Sequence, residues 1–392
     1  MDAFWKLSAA GFAATAITYG PARMGFGLFL SEFREDFALS IGMAGLISSM
    51  GFLGMLCGLV AAYAILANWG PRPPVLIGLG LATTGMALVA WAPTLPVLTG
   101  GIVIAMASAG FAWTPFNNIV NRRLTEETRL SALAIISTGT SLGIAAAGVA
   151  AVAVSLSGLS WQTSWALFAG FSAVALLGNV EALREPSGPL GASVPRVPWG
   201  ALLHRSAMPL YSIAFSFGTT TAIFFSFAAD RIVQTGGLPG LPSGTAPAIL
   251  FVFYGIFGLA GLATGHIKSR IGLSALLRVL LLASALSLAL MALWPGNWAA
   301  IVVAAALQGG FVMMMSAILS YWSERLFPQM PARSFTAALI AVACGSVLGP
   351  VTAGLAADSI VTGPMFLATA LLSVTTLPVI LPRFVQERPG PA

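Results

Sequence analysis

The chain has 392 residues, of which 58% are hydrophobic and only 8% are charged. An ordinary soluble domain carries about 25% charged residues, and a surface with far fewer would expose large apolar patches. The composition therefore excludes a water-soluble globule. The 43 glycines and 24 prolines occur among long Leu, Ala and Val runs, which excludes collagen-like and disordered chains as well. We predict a polytopic membrane protein.

The net charge and the cysteines add little about partners. A formal charge of +6 does not indicate nucleic acid, because the 18 Lys and Arg residues are spread thinly along the chain. Cys57 and Cys344 lie far apart in apolar stretches, so we predict that both are buried by packing and form no disulfide. After Lys6 the chain enters an apolar stretch too long for a cleaved signal, which predicts a first transmembrane helix.

The gaps between charged residues allow the spans to be counted, since about 20 apolar residues cross the roughly 30 Å of hydrocarbon. Residues 73–121, 130–180 and 279–323 are free of charge over 49, 51 and 45 positions, so each predicts a helical hairpin. The six other spans are predicted at 7–30, 37–71, 206–229, 232–267, 334–357 and 359–382. The total is twelve. Their length and lack of alternating polarity favour an all-α protein over a barrel.

The basic residues predict the orientation of these spans. With the N-terminus inside, fifteen Lys and Arg residues fall in short cytoplasmic loops, and only Arg34 and Arg231 fall outside. This asymmetry favours an N-in/C-in topology. Residues 184–205 are rich in Pro, Gly and Ser and predict a cytoplasmic linker. It would divide an N-terminal six-helix bundle, 1–183, from a C-terminal one, 206–392.

The two predicted bundles repeat each other with an offset near 200 residues. Glycines recur in the same order in both halves: Gly20 with Gly218, Gly70 with Gly272, and Gly139-x-x-x-Gly143 with Gly345-x-x-x-Gly349-Pro350. A parallel repeat of six spans is typical of one class of rocking transporter. The order and spacing of these matches predict two pseudo-symmetric bundles.

Two loops carry parts of a longer pattern. Residues 265–272, GHIKSRIG, contain Gly265, Arg270 and Gly272, and residues 63–72, YAILANWGPR, keep Gly70 and Arg72. Both are similar to the G-x-L-x-D-R-x-G-R-[KR] loop of the major facilitator superfamily, which the chain resembles over essentially its whole length. The aspartate of that pattern is missing from both loops. The resemblance implies a conformational role for the residues that match it.

Further segments strengthen this resemblance. Gly345, Gly349 and Pro350 are similar to a Gly/Pro signature that some members of the family carry in span 5, although close packing with a Pro bend is the alternative. Residues 19–28, YGPARMGFGL, resemble the opening of poorly characterised bacterial members, with Met24 in place of a Phe. The resemblance implies a multi-pass protein of the bacterial inner membrane, monomeric by the family's default.

An enzyme would need a catalytic constellation, and the sequence offers none. The only histidines, His204 and His266, lie in or beside predicted loops, and no His, Cys, Asp or Glu cluster has ligand spacing. A phosphate-binding G-x-x-x-x-G-K-[ST] loop is also absent. We therefore expect no enzyme, no ATP-driven pump, no metal and no other cofactor. The remaining interpretation is a transporter driven by solute gradients.

Arg23 is the charge to explain, because a charged side chain inside the hydrocarbon costs about 2.5 to 3.5 kcal/mol. A guanidinium there can clamp a carboxylate, which favours a small organic anion as solute. The alternative is that Arg23 reaches an outer carboxylate such as Glu32, Asp230 or Asp358 as part of a gate.

The spans that line the cavity in the family carry aromatic, amide and hydroxyl side chains near mid-depth. We predict that solute is bound by Arg23 together with Tyr19, Trp113, Asn117, Phe217, Thr221 and Gln308. Packing between helices is the alternative for each of them. No carboxylate or histidine lies near the membrane midplane. Asp230 is the candidate for coupling or gating, with a solvated loop carboxylate as its alternative.

The sequence thus predicts a secondary active transporter that works by alternating access on a monocarboxylate-like solute, with a proton or a counter-anion as a further partner. The rival within transport is efflux of drugs or other apolar compounds, favoured by the Phe-rich and Met-rich lining. A rival of another class is a receptor or scaffold on the same fold, although such proteins usually append a long soluble domain.

Overall fold

A computed structural model describes residues 3–184, 202, 204–242, 244–360, 362–381 and 385. The described residues form helices and contain no β-strand. The α-helices are α1 Ala3–Tyr19, α2 Pro21–Leu28, α3 Leu30–Phe37, α4 Ile41–Trp69, α5 Arg72–Ala90, α6 Leu95–Ala107, α7 Trp113–Arg123, α8 Glu126–Leu156, α9 Trp161–Ala182, α10 Met208–Gln234, α11 Thr245–Gly258, α12 Thr264–Ile271, α13 Leu273–Leu293, α14 Trp298–Leu326, α15 Pro331–Ile360 and α16 Thr362–Thr376.

Eleven helical segments of the described chain are long and apolar enough to cross a membrane. The three charge-free intervals that predicted hairpins each hold two of them, and the connections fall at 91–94, 157–160 and 294–297. Two of the eleven are interrupted by a turn of 3-10 helix, at Ser108–Phe111 between α6 and α7 and at Leu259–Ala263 between α11 and α12. A 3-10 turn inside a long helix often marks a hinge.

The predicted first span over residues 7–30 is not one continuous helix. The helix breaks at Gly20, whose ψ of −110° is not helical, and α2 begins with Pro21. Proline has no backbone N–H to donate to the preceding turn, so it starts a helix well and interrupts one. Neither α1 nor α2 alone is long enough to be counted among the eleven segments.

The chain packs as two compact units. Unit 1 comprises Met1–Leu39, Met50–Val194 and Gly240–Ile256, and unit 2 comprises Ser40–Ser49, Pro195–Pro239 and Phe257–Ala392. The start of α4 is thus part of unit 2, and most of α11 is part of unit 1. The predicted linker over 184–205 lies largely outside the described residues, and the predicted division of the chain stays a prediction.

Corresponding glycines make corresponding contacts in the two units. In unit 1, a Cβ on Gly143 of α8 would lie 2.6 Å from the Cα atom of Ala16 in α1. In unit 2, a Cβ on Gly349 of α15 would lie 3.0 Å from the backbone carbonyl oxygen of Thr219 in α10. Small residues let helix backbones approach this closely. The glycines that repeat in the sequence therefore make the same kind of close helix–helix contact in both units.

The prediction that both cysteines are buried is wrong, since Cys57 and Cys344 are exposed. Lipid tails are as apolar as a protein core, so an apolar stretch does not indicate which of its faces points into the bundle. One buried apolar cluster of unit 1 includes Leu7, Leu79 and Phe116, which bring α1, α5 and α7 together.

Candidate functional site

Arg23 of α2 lies beside two aromatic side chains of unit 1. Its guanidinium carbon is 5.7 Å from the centre of the Tyr19 ring and 5.8 Å from that of Phe52 in α4. Tyr254 of α11, also in unit 1, is 1% exposed. An aromatic face attracts a cation within about 6 Å, and more strongly where water is excluded. Unit 1 therefore holds a cation in an aromatic setting.

The break between α1 and α2 positions this cation. Gly20 lies so close to Gly143 of α8 that a Cβ would be 2.7 Å from the Gly143 carbonyl carbon. Gly25 follows Arg23 by two residues, and a Cβ there would be 2.7 Å from the Trp165 ring. Positions two apart lie on nearly opposite faces of a helix. The packing of Gly25 on Trp165 thus turns Arg23 toward the rings of Tyr19 and Phe52.

Trp113 and Asn117, predicted to bind solute with Arg23, lie in α7. Trp113 packs against the apolar cluster that contains Leu7 and Ile119. The Asn117 side chain accepts a hydrogen bond of 2.8 Å from the Asn121 amide. Each has a structural contact within unit 1, and their role as solute ligands stays a prediction.

In unit 2, the predicted ligands cluster around a pair of phenylalanines. Phe217 of α10 and Phe311 of α14 meet edge to face, with ring centres 5.4 Å apart. Thr221 lies one turn after Phe217, and Gln308 lies one turn before Phe311. Three connections lead from α10 through two further apolar segments to α14. Because successive spans alternate in direction, α10 and α14 run in opposite directions. Thr221 and Gln308 consequently lie on the same side of the ring pair.

Gln308 is the most unusual polar residue of this cluster. It is 0% exposed, and neither its amide oxygen nor its amide nitrogen has a hydrogen-bond partner among the described residues. The Thr221 hydroxyl is in the same situation with its side chain 2% exposed. An unsatisfied buried polar group costs about 1 to 3 kcal/mol, so each one in a folded protein requires an explanation. A bound water or solute would satisfy the hydrogen bonds of these groups.

Asp230, the candidate for coupling, lies inside α10 and is 2% exposed, so it is not a solvated loop carboxylate. The Gln234 amide, one turn later, donates a hydrogen bond to it. Gln234 in turn accepts a 2.8 Å hydrogen bond from the Thr362 hydroxyl, to which Arg231 donates at 3.2 Å. The carboxylate therefore belongs to a polar network at the junction of α10 and α16.

The start of α4 is tied to α15 within unit 2. The Asp358 carboxylate accepts hydrogen bonds from the Gly42 backbone N–H at 3.0 Å and from the Ser40 hydroxyl at 3.1 Å. The first backbone N–H groups of a helix have no partner inside it, and a carboxylate satisfies them while favourably opposing the helix dipole. Asp358 thus caps the N-terminus of α4 from a different helix.

A second contact between the same two elements involves Pro350. Proline inside α15 cannot donate to the preceding turn, and its ring disturbs the hydrogen bonds around it. The next backbone N–H, on Val351, donates to the Ser49 hydroxyl of α4 at 2.9 Å. A Cβ on Gly354 would lie 3.1 Å from the Gly45 Cα atom, so the two helices also touch through glycines.

A sequence model of the Major Facilitator Superfamily matches residues 12–283. This protein belongs to the Major Facilitator Superfamily. As a member it is a membrane transporter and not an enzyme. No curated protein matches the chain.

Solved structures similar to this superfamily member share its fold at low sequence identity. A mutant of the nucleoside transporter NupG has a TM-score of 0.76 and 15% identity, covering 97% of this chain and 99% of that one. A POT family transporter in complex with a thioalcohol-conjugated peptide has a TM-score of 0.78 and 12% identity, covering 98% of this chain and 96% of that one. A bacterial homologue of the human lysosomal transporter Spinster, inward-facing and unoccupied, has a TM-score of 0.73 and 15% identity, and the match covers 100% of both chains.

The loop residues that match the superfamily pattern have separate structural roles. Gly70 and Gly272 both have positive φ, 80° and 81°, which favours glycine at a helix end. Ser269 occupies the place of the missing aspartate and donates a hydrogen bond to the His266 carbonyl of its own helix. Nothing lies within 4 Å of a Cβ placed on Gly265.

The basic residues of this transporter's loops make other contacts. Arg72 begins α5, and Arg270 is an exposed residue of α12. The Lys268 ammonium of α12 lies 3.6 Å from the centre of the Tyr321 ring in α14. A cation–π contact therefore joins these two helices, and the conformational role of the pattern residues stays a prediction.

Sequence reasoning missed several residues around these sites. Phe52 had no distinguishing signal, since it is one of 24 phenylalanines, whereas Tyr254 could have been selected as one of only five tyrosines. Asp358 was recognised only as one of three outer carboxylates that Arg23 could reach. Its partner Gly42 contributes a backbone group, which no side-chain pattern reveals.

Replacing Asp358 with alanine should loosen the start of α4 from α15. The Gly42 N–H and the Ser40 hydroxyl would lose their acceptor, at a cost of about 0.5 to 2 kcal/mol, the range for losing a helix cap. Spin labels at Met43 and Leu355, which are both exposed, would report the change as a broader and longer distance distribution.

The labels require a background in which Cys57 and Cys344 are replaced by serine. Asp358→Asn is the matched control, because its amide oxygen can still accept from Gly42, and it should give an intermediate distribution. A distribution unchanged by Asp358→Ala would show that this carboxylate does not hold the two helices together.

Proposed function

We propose that this protein is a secondary active transporter that moves a small organic anion, such as a monocarboxylate, by alternating access. Arg23 is the charge partner of the solute carboxylate. Tyr19, Trp113 and Asn117 of unit 1 shape the site, with Phe217, Thr221 and Gln308 of unit 2.

The observation that carries this proposal is the setting of Arg23. The rings of Tyr19 and Phe52, at 5.7 and 5.8 Å, lower the cost of holding a cation in the membrane, but they carry no negative charge. The guanidinium also carries N–H donors. A carboxylate is recognised at its N–H edges, by two parallel hydrogen bonds.

Unit 2 supports a solute with further polar groups. The amide of Gln308 offers one acceptor and two donors, and the Thr221 hydroxyl offers both functions. A hydroxy or keto group beside the carboxylate would match these atoms. The Phe217 and Phe311 rings would contact the carbon skeleton of the solute.

We infer twelve spans and an N-in/C-in topology in the bacterial inner membrane. The eleven apolar helical segments of the described chain are joined by α1 and α2, which together cover residues 3–28 and complete the first span. The asymmetry of the basic residues supports this orientation. We further propose that the two bundles, 1–183 and 206–392, are joined by the linker at 184–205, and that the transporter acts as a monomer.

Asp230 is the proposed coupling or gating group. Its burial and its bond to Gln234 give it the setting of a residue whose charge state can change during a transport cycle. If Asp230 takes up a proton, the solute moves with protons. If it does not, an exchange of one anion for another across Arg23 is the simpler mechanism.

A second candidate function, efflux of apolar or cationic compounds, is favoured by the ring-rich surroundings of both sites. Unit 1 contributes the Phe52 ring beside Arg23, and unit 2 contributes the Phe217–Phe311 pair. The faces of tyrosine and phenylalanine rings bind organic cations in addition to the arginine guanidinium.

Uptake into proteoliposomes tests the proposal. Purified protein would be reconstituted and supplied with labelled monocarboxylates, hydroxy acids and keto acids under imposed proton and solute gradients. Nucleosides and 5-aminolevulinic acid, named in structures of the same fold, and a cationic dye complete the panel. We expect saturable flux of a carboxylate. Flux of the dye alone would favour efflux, and absence of any flux would favour a receptor or scaffold.

A further inference from the structure

An open groove runs between α10 and α16 of unit 2. Two adjoining cavities of about 510 and 350 Å³ share Ser212 and Val379 as lining residues. Together they form a trough from Arg205, three residues before α10, to Ser216 within α10. Its apolar walls come from Met208, Phe215, Ala341, Leu372, Pro378 and Val379.

The trough opens toward lipid rather than into the packed core. Met208 is 47% exposed and Phe215 is 37% exposed, although both are large apolar side chains within a membrane span. Leu371 and Val374, beside the groove on α16, are 60% and 41% exposed. Such side chains in a membrane protein face the acyl chains of the bilayer.

One end of the trough carries a positive charge. Arg205 lines the smaller cavity and is exposed, and its side chain makes no hydrogen bond or ion pair with any described residue. It is also the first residue of the apolar segment Arg205–Gln234. A basic residue at the end of a span lies at the level of the lipid headgroups, where it meets their phosphates.

The length of the trough matches one leaflet. Arg205 and Ser216 are separated by eleven residues, which at 1.5 Å per residue corresponds to about 16 Å. Half of the hydrocarbon thickness is about 15 Å. A single acyl chain could therefore lie along α10 from the headgroup level to near the bilayer centre.

We propose that this trough seats one anionic phospholipid, with its phosphate on Arg205 and an acyl chain between α10 and α16. Basic pockets between transmembrane helices are the usual seats of such headgroups. The Ser212 hydroxyl, exposed and without a hydrogen bond to the described residues, offers a donor about two turns further along the trough from Arg205. The Tyr211 hydroxyl is already bonded to the Leu202 carbonyl at 2.9 Å and contributes its ring.

Native mass spectrometry of the full-length protein tests this site. The protein would be extracted and exchanged into mixtures of phosphatidylglycerol and phosphatidylethanolamine. We expect one phosphatidylglycerol to be retained in preference to phosphatidylethanolamine. Arg205→Gln should reduce that preference about fivefold, the factor that one basic residue contributes at an anionic surface.

Two further variants separate charge from shape. Ser212→Phe fills the trough where the two cavities meet and should abolish retention of both lipids while leaving Arg205 in place. Lys6→Gln, which removes an exposed basic residue at the start of another span, should leave retention unchanged. Equal retention by wild type and Arg205→Gln, or equal loss in Lys6→Gln, would overturn the proposal. Size-exclusion profiles confirm that each variant is folded.

Discussion

Replacing Arg23 with glutamine is expected to reduce carboxylate uptake by roughly 10- to 100-fold. A hydrogen bond to a charged group contributes about 1.5 to 3 kcal/mol, which corresponds to that range in affinity. The loss should appear as weaker binding of the solute to purified protein and as a higher KM in proteoliposomes. The Tyr19 and Phe52 rings would still be present and would still contact apolar parts of the solute.

Two substitutions serve as controls for the Arg23 experiment. Arg23→Lys keeps the charge but loses the planar fork that pairs with a carboxylate, so partial activity is expected. Arg184→Gln removes an arginine that is 78% exposed and forms a surface ion pair with Glu181, and it should leave uptake unchanged. Unchanged affinity in Arg23→Gln would refute the assignment of a carboxylate solute to this residue.

Adding one methyl group at Gly218 should destabilise unit 2. A Cβ there would lie 2.8 Å from the carbonyl carbon of Val342 and 3.0 Å from its Cα atom. Because both are backbone atoms, α10 and α15 would have to separate, at a typical cost of about 1 to 3 kcal/mol. We expect Gly218→Ala to lower the thermal midpoint in detergent and the yield of monodisperse protein.

Gly310→Ala is the matched control, and its effect should have the opposite sign. Gly310 lies within α14, and no atom lies within 4 Å of a Cβ placed on it. Alanine in a helix interior is favoured over glycine by about 1 kcal/mol. A thermal midpoint that falls equally in both variants would show that close contact between α10 and α15 is not what Gly218 provides.

The broad architecture could be predicted because charge is so rare in this chain. Each charge-free interval long enough for two spans contains two apolar helical segments, which are connected at 91–94, 157–160 and 294–297. The prediction failed where geometry depends on the backbone. The break at Gly20 and Pro21 lies inside an apolar stretch, where hydropathy does not change. The break follows from the missing backbone N–H of proline, which hydropathy does not reveal.

The candidate sites were predicted in part. Arg23 could be found from the cost of burying a charge, and Gln308 from its place in an apolar span, but the sequence could not show that both amide atoms of Gln308 lack a partner among the described residues. Neither could it show that Phe52, 29 positions after Arg23, lies against the same guanidinium. Contacts between distant positions follow from helix packing, which composition and spacing do not encode.

The sequence by itself determined the solvent of this protein, the approximate number of its spans and its superfamily, because each depends on where apolar and charged residues fall along the chain. The tertiary structure decided which faces meet. It exposed the two cysteines, buried Asp230, and used Asp358 to cap a helix more than 300 positions away. The physical reason is that lipid and protein interior are equally apolar, so hydrophobicity selects the membrane but not the partner within it.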